Sequence, residues 1–343
     1  MEQRPLGRTG MSVSQLCLGA MMFGAVGNPD HDEGVRIVHR ALDAGVTFID
    51  TADVYSGGES EQVVGKALAG GRRDGVVLAT KVGLPFGQDP NQRGMSRRWI
   101  TQAVEGSLRR LGTDWIDLYQ LHRLDPDTDV DEALGALSDL VHAGKIRAFG
   151  ASTVPASEIL EAQWTAERRG RERFCTEQPP YSILTRAIET DVLPTAQRYG
   201  MGVLSYSPLA GGWLSGKYRK GQEVSGPGSI GRAQRFPGVY DAANPANVAK
   251  LDAADALGAL ADEAGLTLVQ LAIAFVVRHP AVTSAIVGPR TMGHLESYLA
   301  ADGVQLPSAV LDRIDEIVPP GHTVNVGDNM WTTPALSPAA RRR

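Results

Sequence analysis

The feature that most constrains this chain is an alternation: a short, nearly continuous apolar run, then an amphipathic segment, repeated along most of its 343 residues. The apolar runs lie at 15–19, 46–50, 75–81, 115–121, 146–151, 173–177, 202–206 and 284–288. Strands that are apolar throughout, rather than at every second position, are covered on both faces. Between them, helical spacing occupies 31–44, 59–69, 97–111, 130–143, 155–167 and 188–199, and two further helices fall at 248–264 and 268–279. Asp32 and Glu33 sit in a first turn, Gly45 follows a last one, and Ser56, Gly57 or Gly58 can cap the second helix. Eight strands alternating with helices predict parallel β/α units. A closed (β/α)8 barrel and an open doubly wound sheet both satisfy that pattern, and the count of eight favours the barrel.

Three stretches break the rhythm. Residues 4–13 read as two short strands around a glycine turn, a hairpin able to plug the bottom of a barrel. Residues 209–247, after the seventh strand, lack a clean period and are rich in Gly and Pro, as functional loops often are. The tail from about 318 to 337 reads as irregular, and Arg341-Arg342-Arg343 as a short basic end. No linker divides the chain, so 1–343 is read as one domain.

Composition narrows the function classes. The hydrophobic fraction of 43% and charged fraction of 21% are those of a globular protein, and a formal net charge of −5 offers no nucleic-acid or membrane surface. The start lacks a signal-peptide pattern, and no apolar run is long enough to span a bilayer, so a cytoplasmic location is expected. Cys17 and Cys175 each lie in an apolar run and read as buried thiols. No CxxC, Cys/His cluster or HExxH is present, so no metal is expected.

The chemistry gathers at strand ends. Asp50 ends the second strand, with Tyr55 five residues on; Lys81 ends the third; His122 ends the fourth. In a barrel those ends share one rim, where active sites are built. A free tyrosine is a poor acid at pH 7. A buried lysine beside the phenol is expected to lower its pKa, a carboxylate would keep the lysine charged, and a histidine could orient a substrate oxygen. The set suits proton delivery to a carbonyl oxygen on which negative charge develops.

Phe48-Ile49-Asp50-Thr51-Ala52-Asp53-Val54-Tyr55, Leu78-Ala79-Thr80-Lys81 and Tyr119-Gln120-Leu121-His122-Arg123 resemble the signatures of the aldo-keto reductase family. Leu6-Gly7-Arg8-Thr9-Gly10 and Leu18-Gly19-Ala20-Met21-Met22-Phe23-Gly24 are similar to its bacterial and channel-β-subunit branch. The resemblance runs from about residue 4 to 317. It implies a TIM barrel and a catalytic tetrad of Asp50, Tyr55, Lys81 and His122. It also implies NADPH, which gives hydride to a small-molecule carbonyl substrate. The cofactor set it implies is Gly19, Met21, Ser152, Thr153, Gln178, Tyr206, Ser207, Leu209, Gly211, Gly216, Lys217, Gly288, Arg290, His294 and Tyr298. In that set Ser152, Thr153 and Gln178 hold the carboxamide, Tyr206 stacks on the ring, 207–217 wraps the pyrophosphate, and Arg290 meets the 2′-phosphate. Gly226-Pro227-Gly228-Ser229-Ile230-Gly231 matches GxGxxG as a string, but it follows no strand and is read as chance.

The chain departs from the family where Ser297-Tyr298 replaces the usual Glu-Asn pair at adenine, and in Gln178-Pro179-Pro180-Tyr181. Substrate-pocket candidates are Met22, Phe23, Val54, Phe86, Arg123 and Trp331. Arg123 reads either as a contact for a polar or anionic substrate or as a structural salt bridge. Three functions are carried forward: a general carbonyl reductase, a dedicated biosynthetic reductase of a keto-sugar or similar intermediate, and a low-turnover cofactor-binding regulatory subunit. The second is compatible with the arginine-heavy basic set, in which lysine occurs six times. The oligomeric state is left open.

Overall fold

The computed structural model describes residues 1–220, 240–241, 243–331 and 339–340. Two short strands, β1 (Gln3–Pro5) and β2 (Ser12–Ser14), pair antiparallel, with Arg4 opposite Val13. Eight parallel strands follow: β3 (Leu16–Gly19), β4 (Phe48–Asp50), β5 (Val77–Val82), β6 (Ile116–Leu121), β7 (Ile146–Ser152), β8 (Thr176–Gln178), β9 (Gly202–Ser205) and β10 (Ser284–Val287). They close in the order β10-β3-β4-β5-β6-β7-β8-β9, which decides for the barrel over the open sheet.

Continuous apolar runs are explained by two cores. Inside the barrel, Cys17, Phe48, Ala79, Leu118, Ala148, Leu204 and Ile286 pack against Leu6 and Val13 of the hairpin, which plugs the N-terminal end. Neighbouring positions on the same strands, such as Leu16, Leu18, Ile49 and Leu78, point outward into the core shared with the helices. Each strand therefore buries both faces, as its composition requires. The plug leaves the opposite rim as the end available for a site.

The helices α1 (His31–Asp43), α2 (Glu59–Leu68), α3 (Arg97–Leu111), α4 (Val130–His142) and α5 (Ala156–Arg169) lie close to the bounds their periodicity predicts. Differences have local causes. Helix α6 begins at Val192, not 188, because Asp191 caps Val192 N and Ala187–Glu189 forms a separate 3-10 turn. Helix α7 (Pro245–Glu263) starts earlier than its apolar pattern because Asn244 caps it and Pro245 suits a first turn. Helix α8 (Leu268–Arg278) carries a Thr267/Gln270 capping box. After β10 come α9 (Met292–Leu299) and α10 (Ser308–Ile317), the latter absent from the sequence reading. Of the three candidate caps of helix α2, Gly58, at φ +99°, is the N-cap residue, and Ser56 is not.

Cys17 is buried as expected, but Cys175 precedes β8 and is half-buried; both are free thiols. The GxGxxG string lies outside the described residues, as does the Arg341-Arg342-Arg343 end. No single described helix is long and apolar enough to cross a membrane.

Candidate active site

Strands β4, β5 and β6 end side by side on the open rim and bring all four predicted residues together. Asp50 closes β4, Lys81 is the penultimate residue of β5, and His122 follows the last residue of β6. Lys81 Nζ donates to Asp50 Oδ1 at 2.5 Å, to the Thr51 carbonyl at 2.8 Å and to Tyr55 Oη at 3.2 Å. The Tyr55 and His122 rings meet edge-on, 5.7 Å apart. Tyr55 lies in a 3-10 turn whose next residue, Ser56, adopts φ +50°. The Ser56 hydroxyl donates to the Phe23 carbonyl and accepts from Val26 N, which ties the tyrosine loop to the loop after β3. Those bonds offset a backbone conformation that a non-glycine residue rarely adopts.

The environment sets each protonation state. Burial alone would lower the Lys81 pKa, but Asp50 and Tyr55 beside it hold it above the usual lysine range. Burial pushes the Tyr55 phenol up more than Lys81 pulls it down. Lys81 acts in the expected direction, but burial outweighs it, and the resting group is the protonated phenol. Burial, with Lys81 and Arg123 nearby, drives His122 well below the usual histidine range, so its ring is neutral.

Two features of the site were missed by sequence reasoning. Gln120 and Gln178 both donate to Asp50 Oδ2, at 3.2 and 2.9 Å, and complete its hydrogen bonding. The signal for Gln120 was a polar residue inside the apolar run of β6. Behind the tyrosine loop, Asp53 and Glu61 are buried beside Arg110, whose Nε is 2.6 Å from Glu61 Oε2. Nothing local in the sequence joins those three.

The predicted cofactor residues form two groups. In the first, Ser152 Oγ donates to the Gln178 carbonyl at 2.9 Å, and the Thr153 and Tyr206 hydroxyls are 3.1 Å apart. Tyr206 lies one residue beyond β9 and bridges to Pro180. Thr153 and Ser207 both adopt positive φ, +60° and +57°, which turns the chain sharply at these strand ends. Gly19 and Gly288 approach each other across β3 and β10. The second group is cationic. Lys217 and Arg290 lie close enough to His294, which is partly buried, to push its pKa further down. No described carboxylate pairs with either cation. Uncompensated positive charge beside the start of α9 fits the phosphates of a dinucleotide. Gly211, Gly212 and Gly216 have φ of +69°, +108° and +80° in the adjoining loop, where small residues let backbone N–H groups approach an anion. Tyr298 stacks on His294 with centroids 6.3 Å apart, a flat surface where the family's Glu-Asn pair is missing. Leu209 begins this loop, and Met21 is half-buried beside β3.

Among the substrate-pocket candidates, Val54, Met22, Phe86, Arg123 and Trp331 are partly exposed. Phe23 is not available: its ring is 1% exposed and belongs to the outer core. Phe86 turns toward α3, against Trp99 and under Arg110.

The aldo/keto reductase family model matches residues 15–319. The chain belongs to the aldo/keto reductase family. It is 39% identical over 330 residues to an uncharacterized oxidoreductase, YrpG, of Bacillus subtilis, covering 93% of this chain and 96% of that one. It is 36% identical over 328 residues to a probable voltage-gated potassium channel subunit beta of Oryza sativa, at 93% and 97% coverage. It is 32% identical over 349 residues to the versiconal hemiacetal acetate reductase of Aspergillus parasiticus, at 92% and 96% coverage. Membership supports an oxidoreductase acting on carbonyls.

Proposed function

We propose that this aldo/keto reductase uses NADPH to reduce an aldehyde or ketone to an alcohol, with Tyr55 as general acid. The observation that carries the reading is the fully buried Lys81 ammonium, 2.5 Å from the Asp50 carboxylate and 3.2 Å from the Tyr55 hydroxyl. Ser152, Thr153, Gln178 and Tyr206 would hold the nicotinamide end, and the loop from Ser207 to Lys217, with Arg290, the phosphates. Bound there, NADPH would supply hydride. As negative charge grows on the carbonyl oxygen, Tyr55 gives up its proton. Lys81, fixed by Asp50, stabilises the phenolate that remains. His122, neutral at pH 7, offers the same oxygen a hydrogen bond and does not compete as a charged acid. Burial alone makes the phenol a poorer acid; Lys81, held charged by Asp50, offsets part of that cost as the proton leaves.

Relatives named as a probable potassium channel subunit and as a versiconal hemiacetal acetate reductase keep two narrower readings in view: a regulatory, low-turnover role, and a dedicated substrate. The assembled tetrad favours turnover. A cytoplasmic setting suits an enzyme with two unpaired cysteines.

The test follows NADPH and NADH oxidation against a panel of aldehydes, ketones and keto-sugars. The Tyr55→Phe variant is expected to lose about 10²- to 10⁴-fold in kcat while still binding NADPH. Tight NADPH binding without reduction of any carbonyl would favour the regulatory reading. Absence of NADPH binding would remove the cofactor assignment.

A further inference from the structure

Arg123 follows His122 on the rim, and its guanidinium is half-buried. Two roles are open to such a residue, a structural salt bridge or a contact for an anionic substrate. Three other arginines withdrawn from solvent in this barrel have carboxylate partners: Arg73 pairs with Asp117, Arg110 with Glu61, and Arg186 with Glu189 and Asp315. Arg123 has none within ion-pairing distance among the described residues. One of its nitrogens, Nη1, donates to the His122 carbonyl at 2.6 Å and to Ser152 Oγ at 3.3 Å. Those bonds anchor the fork without neutralising it.

The charge is felt across the site. It lowers the pKa of His122 and pulls on the phenols of Tyr55 and Tyr206. Of the carboxyls nearby, Asp50 is already taken by Lys81, Gln120 and Gln178. Glu177, which also feels Arg123, is pushed up to about 8 by burial and is uncharged at neutral pH. The Lys81–Asp50 pair cancels and His122 is neutral, so among the described residues around the tetrad Arg123 is left as an uncompensated positive charge, next to the place where the carbonyl would lie.

We infer that Arg123 is a specificity-determining residue that selects carbonyl substrates bearing an oxyanion, carboxylate or phosphate, close to the reacting carbon. The inference rests on the carbonyl-reductase reading of the tetrad. A pre-anchored guanidinium meets an oxyanion with charge-assisted hydrogen bonds at little ordering cost. A neutral substrate leaves the same cation partly desolvated and unpaired, so the discrimination works in both directions.

The test uses matched substrates at saturating NADPH: 4-oxobutanoate against butanal, and glyceraldehyde 3-phosphate against glyceraldehyde. The wild type is expected to favour the anionic member of at least one pair by roughly 10- to 100-fold in kcat/KM, mostly through KM. The two pairs distinguish carboxylate from phosphate. Arg123→Gln should bring that ratio near one, and Arg123→Lys should keep part of it. Equal use of charged and neutral members by the wild type overturns the inference, as does a ratio that survives Arg123→Gln; Arg123 is then a clamp between His122 and Ser152. Failure of every member of both pairs, together with failure of the wider carbonyl panel, overturns the reductase reading itself, and this inference with it.

Discussion

Asp53 lies two residues from Tyr55 and is 1% exposed, with no hydrogen-bond partner for either carboxyl oxygen among the described residues. Arg110, the nearby cation, is already bound to Glu61. Burial first, then the Glu61 carboxylate, pushes Asp53 up to about 8. The unfolded chain titrates this group near 3.9, so between those values the folded state holds one more proton than the unfolded state. The associated stability is fully present below about pH 4 and is lost as pH rises toward 8, at up to about 1.4 kcal/mol per unit. Asp53→Asn removes the proton from the balance. Its stability relative to wild type should therefore climb between pH 5 and 8 and then level off, read from denaturant midpoints at several pH values. A difference that stays flat with pH would mean that Asp53 is not held neutral.

The hairpin of β1 and β2 is the element that closes the barrel floor, and one glycine lets it do so. Gly7 adopts φ +56°, and a Cβ there would stand 2.7 Å from Gly202 N and 2.8 Å from the Cys175 carbonyl, both backbone atoms of the barrel wall. Gly10, in the same turn, has φ +77° but open space around it. Gly10→Ala should cost only left-handed strain, about 1 kcal/mol, whereas Gly7→Ala adds a backbone clash and should cost about 2–4 kcal/mol in equilibrium unfolding. Equal losses would show that the plug is not tightly seated. That hairpin was legible in the sequence from a glycine turn between two short runs, and so were the eight strands, because burial of both faces writes itself as unbroken apolar runs. The tetrad was legible because Asp50, Lys81 and His122 each mark a strand end. The Asp53–Glu61–Arg110 cluster was not, since its members lie on different elements and only the packing of α2 on α3 joins them. Nor was the strained Ser56, whose bonds to Phe23 and Val26 depend on how two loops meet. Phe23 misled for the opposite reason: its place in a family motif says nothing of which way its ring turns.

At the scale of the whole molecule, distant segments converge behind the proposed phosphate loop. Lys250 on α7 is 1% exposed; its Nζ is 3.0 Å from Asp328 in the tail and 5.0 Å from the centre of the Trp213 ring. Trp213 stacks on Tyr240 at 5.5 Å, and the Tyr240 hydroxyl donates to the Gly211 carbonyl at 2.5 Å. The tail, α7 and the loop after β9 are thus held by one buried cation and its aromatic neighbours. Removing the carboxylate strands an ammonium in an apolar site, while replacing the lysine with a residue of similar volume removes the charge and keeps the packing. Asp328→Asn should therefore destabilise by about 2–3 kcal/mol, and Lys250→Met by clearly less, measured side by side by chemical denaturation. Because Gly211 hangs on the same cluster, Asp328→Asn should also weaken NADPH binding more than Lys250→Met does. Were Lys250→Met the more damaging of the two, the cluster would depend on the charge itself, through its contact with Trp213, and not on neutralising it.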